Sequence, residues 1–271
     1  LEHRIGDNRI LRLIRKWLHA GVIEEGVWTP GKEGSPQGSV ISPILSNVFL
    51  HYVLDLWIDW WRQQQGRGEI VVVRYADDFV IGFERHEEAI ACLNELRERF
   101  AKFGLKLNDQ KTRLIEFGRM ASVRRERRGN GRPETFDFLG FTHQCSKTRT
   151  HGRFTIRRES IAKRLRTKLA EIKQQLRCRW NAPLGDVGRW LSRVVKGWLN
   201  YHAVPGNMVR LQQFMQGVIR LWLRQLRRNS QRHRWTWKRM NAMARRYFPR
   251  LRILHPYPHQ RFRDRLKARA V

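Results

Sequence analysis

The chain has 271 residues, 41% of them hydrophobic, and this length allows two domains with a sizeable core. Lys and Arg number 55 against 24 Asp and Glu, which gives a net charge of +31. Residues 1–117 hold 16 basic and 17 acidic residues, whereas residues 118–271 hold 39 basic and 7 acidic ones. Because so much like charge opposes folding, the second part is predicted to bind a polyanion, with nucleic acid favoured over an anionic membrane surface.

Cysteine content and hydropathy exclude several classes of protein. Cys92, Cys145 and Cys178 are far apart and odd in number, so neither a disulfide framework nor a zinc cluster is predicted, and a reducing, cytoplasmic setting is expected. The sequence has no run of 18 uncharged apolar residues, and its first residues lack the apolar stretch of a signal peptide. Because the chain starts without Met in helix-like sequence, we expect it to be a fragment of a longer protein.

The chain up to residue 43 is predicted to contain a helix, a strand and an irregular segment. Residues 10–23 have the periodicity of an amphipathic helix, and Val27–Thr29 has the composition of a strand. Two glycines and two prolines in residues 34–43 favour an irregular backbone. Such a backbone can approach a ligand closely.

A core-facing helix of about four to five turns is predicted after this segment. Ser42 is the predicted N-cap, and Pro43 the first helical residue. Asp55 and Asp59 lie on the other face and are predicted to be solvated. The predicted buried stripe consists of Ile44, Leu45, Val48, Phe49, Tyr52, Val53, Leu56, Trp57 and Trp60.

An acidic pair interrupts the apolar segment Glu69–Phe83. β-Branched and aromatic residues on both sides predict two short strands, with Asp77 and Asp78 at the tip of the hairpin between them. Two carboxylates on a rigid turn suit hard divalent cations, and two metals roughly 4 Å apart support in-line attack on a phosphate. The alternative is that both are solvated turn residues, because Asp favours turns. The tetrapeptide alone leaves both interpretations open.

The segments after the hairpin predict an α+β arrangement, in which helices pack on an antiparallel sheet. Glu87–Phe103 has the stripe of a second amphipathic helix, with Gly104 after it and Cys92 beside its core face. Residues 119–132 are predicted to form a basic, mobile loop. Further short strands are predicted at Leu105–Leu107, Arg113–Phe117, Phe136–Phe141 and Phe154–Ile156.

From Arg158 onward the composition predicts a separate, basic helical bundle. Tryptophan can stack on bases, but Trp190, Trp198 and Trp222 share a helical face with Leu or Val and are predicted to fill the core. Helical periodicity extends over residues 160–177, 186–202, 207–228 and 235–247. Phosphate-contacting side chains are predicted on the exposed faces, at Lys163, Arg164, Arg166, Lys168, Arg224, Arg227 and Arg228.

Five segments in order give the chain a resemblance to a known family. They are Ser35–Gly38 with the helix from Ser42, Tyr75–Asp78, Gly104–Asn108 with Lys111 and Thr112, Phe138–Phe141 and Asn200–Asn207. Together they closely resemble the reverse transcriptases, also called maturases, that bacterial group II introns encode. The resemblance covers Arg4 to Phe262. It implies a right-hand polymerase palm over residues 1–157, without the fingers and the first catalytic strand, and an all-helical thumb (domain X) over residues 158–271.

The resemblance also implies roles for individual residues. Asp77 is similar to the catalytic carboxylate that coordinates Mg²⁺ with the incoming nucleotide and the primer end, and Asp78 to its less central partner. Lys111 resembles a lysine that meets the pyrophosphate or donates a proton, with an ordinary surface lysine as an equal alternative. Two further sets are implied: the nucleotide and template pocket residues Ser35, Pro36, Gln37, Gly38, Tyr75 and Ala76, and the primer-grip residues Phe138, Leu139 and Gly140.

One catalytic residue of the family has no counterpart in this sequence. Family members have a further Asp on a palm strand upstream of the segment Ser35–Gly38, and we expect Leu1 to begin just after that strand. None of the acids before Ser35 lies in an apolar strand that is followed by the expected Phe and helix. A site with two of its three carboxylates should hold its metals poorly. The acids in question are Glu2, Asp7, Glu24, Glu25 and Glu33.

Two functions are open at this point. The resemblance implies a bacterial, cytoplasmic RNA-directed DNA polymerase that uses two Mg²⁺ and deoxynucleotide triphosphates on an RNA template and DNA primer, and that binds intron RNA to aid splicing. The alternative is a non-catalytic, RNA-binding splicing cofactor, which the basic second part and the missing carboxylate favour. A reverse transcriptase of bacterial defence or retron type is disfavoured, because Tyr201–Asn207 resembles an intron-specific thumb segment.

Overall fold

The structure is a computed structural model that describes residues 1–2, 4–19, 22–24, 27–29, 41–148, 151–229, 235–258 and 260. Helices and antiparallel sheets are both present, so the predicted α+β class is confirmed. The chain forms two compact units, Leu1–Leu114 and Ile115–Val271. The predicted palm–thumb boundary at 157/158 concerns the domains of the family and stays a prediction. Among the described residues, no helix is long and apolar enough to cross a bilayer.

The first unit contains helices and two small antiparallel hairpins. The first helix, predicted to end near Gly21, ends at His19, and the β-branched residues Val22 and Ile23 lie in a strand. In chain order the elements are α1 Asn8–His19, β1 Val22–Glu24, β2 Val27–Thr29, α2 Ser42–Leu50, a π-helical turn His51–Asp55, α3 Leu56–Gln64, β3 Ile70–Tyr75, β4 Asp78–Phe83 and α4 His86–Lys102.

The predicted buried stripe of the long helix is displaced by one residue. The π-helical turn His51–Asp55 lies in the middle of the predicted helix and adds a residue to one turn. Leu54 within this turn and Ile58 and Trp61 after it are buried, whereas the predicted Leu56 and Trp60 are exposed. The predicted N-cap is also wrong. Ile41 caps α2 without a side-chain hydrogen bond, and Ser42 and Pro43 occupy the first two helical positions. Also exposed from the predicted stripe are Ile44, Phe49 and Tyr52.

The core of the first unit lies between the helices and one face of the β3–β4 hairpin. Ile70 at the start of β3 is buried with Ile58, Trp61 and Cys92. The prediction that Cys92 belongs to the core is confirmed, and burial raises the pKa of its thiol to about 12. A second cluster joins the π-helical turn to α4 through Val53, Leu54, Leu96 and Phe100.

Two predicted strands after α4 are absent from the described residues. Residues Leu105–Leu107 do not pair with any strand in the described part of the chain. The side chains of Leu105 and Leu107 instead pack against the cluster that contains Leu96. A turn at Asn108 follows, where Asn108 O accepts hydrogen bonds from the Lys111 and Thr112 amides. The alternating Leu-Lys-Leu pattern is thus satisfied by packing on helices alone. Arg113–Phe117 likewise lacks strand structure.

The second unit combines a short helix, a three-stranded antiparallel sheet and the predicted helices. The predicted basic loop at 119–132 is wrong, because α5 occupies Arg119–Arg127 and buries Ala121. The segment has little apolar periodicity, and this led to the prediction of a loop, although most of its residues are good helix formers. The elements are α5 Arg119–Arg127, β5 Phe136–Phe138, β6 Phe141–Lys147, β7 Phe154–Ser160, α6 Ala162–Cys178, α7 Leu184–His202, α8 Met208–Asn229 and α9 Trp237–Tyr247.

Helices α6 to α9 enclose a continuous apolar core, which confirms the predicted bundle. The bundle is not separate, however, because it forms one compact unit with the three-stranded sheet β5–β7. Trp222 is fully buried, and Trp190 and Trp198 pack against the same core, so the core prediction for these three residues is confirmed. Close packing also explains Gly217 on α8, since a Cβ there would lie 2.8 Å from Leu169 on α6.

Candidate functional site

The predicted acidic hairpin is present. Strands β3 and β4 pair antiparallel, with Ile70 opposite Phe83 and Tyr75 opposite Asp78. This register leaves Ala76 and Asp77 as a two-residue loop. Ala76 has φ of 55°, the left-handed region that a two-residue hairpin loop requires and that non-glycine residues rarely adopt. The sequence therefore folds into a tight turn that puts Asp77 at its tip and Asp78 at the start of the next strand.

Both carboxylates of this turn are exposed and available to a ligand. The carboxylates of Asp77 and Asp78 make no hydrogen bond or ion pair with any group of the residues that the structure describes. Tyr75, predicted to line the nucleotide pocket, is two-thirds exposed beside them. Oxygen donors of this kind are the ligands that Mg²⁺ prefers.

The donor set of the hairpin fits a metal that arrives with a phosphate substrate. Within the described ranges, no group of three or more His, Cys, Asp or Glu side chains could hold a metal ion. Mg²⁺, however, is commonly bound through one or two carboxylates, with waters and substrate phosphates completing its shell. Asp77 and Asp78 match this type of site, whereas a dedicated all-protein cage would need more ligands.

An arginine inside the hairpin connects the turn to the helices. Arg74 donates from Nε and Nη2 to the two carboxylate oxygens of Asp55, both at 2.6 Å. Its Nη1 donates to Asn47 Oδ1 at 2.8 Å and to the Ala76 carbonyl oxygen at 2.9 Å. The hydrogen bonds from Arg74 lower the pKa of the Asp55 carboxyl. The prediction that Asp55 is solvated is therefore wrong.

The other residues predicted for the nucleotide and template pocket remain predictions. Ser35, Pro36, Gln37 and Gly38 lie outside the described residues. Lys111 is exposed on the turn that begins at Asn108. That location suits either a phosphate contact or an ordinary surface lysine.

The predicted primer-grip residues form a second tight hairpin, in the second unit. Phe138 pairs with Phe141, and the loop residues Leu139 and Gly140 have φ of 47° and 81°. Tyr201 Oη on α7 donates to the Leu139 carbonyl at 2.8 Å. A Cβ on Gly140 would lie 2.7 Å from Nη1 of Arg164, so glycine lets this arginine lie against the loop. The loop is held firmly, and its contact with a primer stays a prediction.

The predicted phosphate-contacting residues lie on α6 and α8, two helices that pack against each other. Six of the seven are exposed as predicted, and the partly buried Lys168 pairs with Glu171 at 2.9 Å. Arg227 also donates from Nε to the Trp235 carbonyl oxygen at 2.9 Å. The exposed six are Lys163, Arg164, Arg166, Arg224, Arg227 and Arg228.

Sequence reasoning missed a buried polar cluster formed by Ser160, His202 and Asn207. Ser160 Oγ lies 2.8 Å from His202 Nδ1, and Asn207 Nδ2 donates to Ser160 Oγ and to the His202 carbonyl oxygen, both at 2.7 Å. Burial lowers the pKa of His202 to about 4, and the charge of Arg164 acts in the same direction. At most 5% of each residue is exposed, so this serine and histidine stabilise the unit and are closed to a substrate. The sequence indicated part of this cluster, because His202 and Asn207 lie in the segment Tyr201–Asn207 that resembles the family's thumb.

Comparison with known proteins identifies the family. A family model described as reverse transcriptase (RNA-dependent DNA polymerase) matches residues 2–143, just over half of the chain. Protein YkfC of Escherichia coli is 32% identical over 42% of this chain and 37% of its own length. The group II intron-encoded protein LtrA of Lactococcus lactis is 35% identical over 24% of this chain and 11% of its own length.

A yeast relative adds to this comparison. An uncharacterized 91 kDa protein in the cob intron of Schizosaccharomyces pombe is 46% identical over 22% of this chain and 7% of its own length. The chain thus spans well under half the length of these curated relatives. The resemblance to intron-encoded reverse transcriptases, predicted from five sequence segments, is confirmed. The matched region contains the acidic hairpin, and the chain belongs to the reverse transcriptase (RNA-dependent DNA polymerase) family.

Proposed function

We propose that this chain is part of a group II intron RNA-directed DNA polymerase that binds divalent metal at the β3–β4 hairpin and nucleic acid along its basic helices. The observation that supports this most is the pair Asp77 and Asp78, exposed on a tight turn in a chain of this family. The two-residue loop by itself accounts for the left-handed Ala76, but a solvated turn has no need of an arginine that holds the loop. Metal binding gives a reason for this contact.

The chain's own groups define the proposed chemistry. Asp77 and Asp78 would hold Mg²⁺, which when bound supplies positive charge that stabilises the phosphates of the incoming deoxynucleotide. The rigid two-residue turn orients both carboxylates before the substrate arrives, so little reorganisation is needed during the reaction. Alignment of the primer hydroxyl with the α-phosphate supplies most of the remaining acceleration. Lys111 is proposed to contact the pyrophosphate.

Charge supports nucleic acid as the partner of the second unit. Residues 118–271 have a net charge of +32, from 39 basic and 7 acidic residues. Arginine and lysine on α6 and α8 are exposed, as contact with phosphates requires. Intron RNA and an RNA template–DNA primer duplex are the proposed ligands, and the binding should weaken with added salt.

Primer extension on an RNA template tests the polymerase proposal. The protein is expressed from the natural reading frame that encodes this chain, with Asp77→Ala as the variant and Asp59→Ala as the control. Asp59 is an exposed carboxylate on α3 that pairs with Arg62. We expect Asp77→Ala to lower extension at least about 100-fold with RNA affinity unchanged, and Asp59→Ala to keep wild-type activity. Extension near the wild-type rate in Asp77→Ala would refute the proposal.

A non-catalytic splicing cofactor is the second candidate. Two observations favour it: the +32 charge of residues 118–271, and the lack, within the described residues, of a group of three His, Cys, Asp or Glu side chains that could hold a metal ion. The coding sequence upstream of Leu1 separates the two candidates. An in-frame apolar strand with a Phe and an Asp supports the polymerase. A stop codon or unrelated sequence, together with splicing activity that survives Asp77→Ala, supports the cofactor.

A further inference from the structure

The acidic turn needs support from outside the hairpin. A two-stranded hairpin is marginally stable by itself. The tip of this one contains Ala76 in a left-handed backbone conformation that residues with a Cβ atom rarely adopt. Such a conformation persists where neighbouring groups hold it. Among the described side-chain contacts, the one that reaches the Ala76 carbonyl comes from Arg74.

Arg74 is itself held by two helical elements. Asp55, the last residue of the π-helical turn, accepts both arms of a bidentate pair with the guanidinium. Asn47 on α2 accepts from Nη1, and its own amide nitrogen donates to the Pro43 carbonyl at 2.9 Å, which fixes its orientation. The Arg74 side chain is 15% exposed. A planar guanidinium in this setting is a rigid link, because paired donors hold both its position and its tilt.

The π-helical turn explains why these two partners converge. Asn47 and Asp55 are eight residues apart, which in a regular α-helix would turn their side chains about 80° from each other around the axis. The π-helical turn His51–Asp55 contains one residue more than an α-helical turn. The spacing from Asn47 to Asp55 is therefore equivalent to seven α-helical residues, or about two helical turns. Both side chains consequently lie on one face and meet the same guanidinium.

The fixed carbonyl belongs to the peptide group between Ala76 and Asp77. Holding this oxygen sets the plane of that peptide and, through it, the direction in which the Asp77 side chain leaves the backbone. We propose that Arg74, held by Asp55 and Asn47, is a positioning residue for metal binding by Asp77. This inference rests on the proposed function, in which Asp77 and Asp78 hold the divalent metal.

Metal binding measured without turnover tests the inference. Mn²⁺ replaces Mg²⁺, and free Mn²⁺ is measured by electron paramagnetic resonance in the full protein with primer–template and a non-hydrolysable nucleotide. The variants are Arg74→Met and Arg74→Lys, the second of which keeps the charge but loses the bidentate fork. Arg62→Met is the matched control, because Arg62 forms an exposed ion pair with Asp59 at 3.1 Å. Asp77→Asn tests the underlying proposal in parallel.

Outer partners that orient a metal ligand typically change metal affinity 10- to 100-fold when removed. We expect Arg74→Met to weaken Mn²⁺ binding about tenfold, Arg74→Lys to weaken it by less, and Arg62→Met to leave it unchanged, while RNA affinity stays constant in all three. If Arg74→Met does not fold, Arg74→Lys decides the question.

The variants separate two kinds of failure. Weaker Mn²⁺ binding in Asp77→Asn with wild-type binding in both Arg74 variants would overturn the positioning role alone. Unchanged binding in Asp77→Asn would overturn the proposed metal site and the positioning role with it. A loss of thermal stability in Arg74→Lys without any change in Mn²⁺ affinity would assign Arg74 to folding only, and would also contradict the inference.

Discussion

Ser160 and Asn207 exchange two hydrogen bonds at the junction between β7 and α8. The Ser160 amide donates to Asn207 Oδ1 at 2.9 Å, and Asn207 Nδ2 donates to Ser160 Oγ at 2.7 Å. Both residues are buried, with 1% and 0% of their surface exposed. One asparagine therefore joins the end of the sheet to the start of a bundle helix in the second unit.

Asn207→Ala should destabilise the second unit by about 2 to 3 kcal/mol. The substitution leaves the buried Ser160 amide without its acceptor and removes one of the two donors to the His202 carbonyl oxygen, which keeps the Val204 amide. Urea unfolding measures the change. Asn200→Ala, at an exposed position on α7, is the control and should change the free energy of unfolding by less than about 0.5 kcal/mol. Equal effects of the two substitutions would contradict the role assigned to the polar cluster.

Stability should fall in mild acid because of His202. Its pKa is about 4 in the folded chain against an ordinary value of 6.5, so the unfolded chain binds more protons between these two values. The contribution of neutral His202 to the free energy of unfolding is therefore fully present above pH 6.5 and is lost as the pH drops toward 4. The loss amounts to no more than about 3 kcal/mol.

Urea unfolding at several pH values measures this loss. His202→Asn should be less stable at pH 7 and should lose less stability than the wild type within the same window, where burial of His143 also lowers that residue's pKa and leaves a smaller pH dependence. His86→Asn, at an exposed position in α4, should keep the wild-type pH dependence. A wild-type protein whose stability is constant between pH 6.5 and 4 would contradict the assignment of a buried, neutral His202.

RNA binding should depend on salt through α6. Replacing Lys163, Arg164 and Arg166 by Ala removes three exposed cations from one helix face. If each contacts a phosphate, the slope of log affinity against log salt should fall by about 2 to 3. Filter binding or fluorescence anisotropy at several salt concentrations gives this slope.

The charge-matched control lies in the first unit. Replacing the exposed Arg9, Arg12 and Lys16 of α1 by Ala removes the same charge from a part of the chain with nearly balanced charge. This triple variant should keep the wild-type slope. An equal decrease in both triple variants would mean that net charge alone attracts RNA and that α6 has no defined phosphate contacts.

The acidic hairpin and the helical bundle could be predicted from sequence because their signals are local. Strand composition on both sides of Tyr75–Asp78 sufficed for the β3–β4 pairing, and helical periodicity sufficed for α6 to α9. The site's outer contacts could not be predicted in this way. The pairing of Arg74 with Asp55 spans 19 residues and depends on a π-helical turn, which shifts the helix face by a residue and leaves no periodic pattern.

Two other errors have similar causes. α5 has too little apolar periodicity to be distinguished from a loop, yet burial of Ala121 stabilises it. Leu105–Leu107 has the alternation of a strand, but its leucines pack on helices, and sequence alternation does not identify the packing partner. In each case tertiary packing decides the local structure.

Iron-mediated cleavage of the backbone tests the metal-binding hairpin most directly. Fe²⁺ bound in place of Mg²⁺ generates hydroxyl radicals with ascorbate and peroxide, and these cut the chain close to the metal. In the presence of primer–template and nucleotide we expect cuts adjacent to Asp77 and Asp78, suppressed by excess Mg²⁺ and absent in Asp77→Asn. Cleavage confined to other segments, or cuts at the hairpin that persist in Asp77→Asn, would contradict metal binding by this acidic pair.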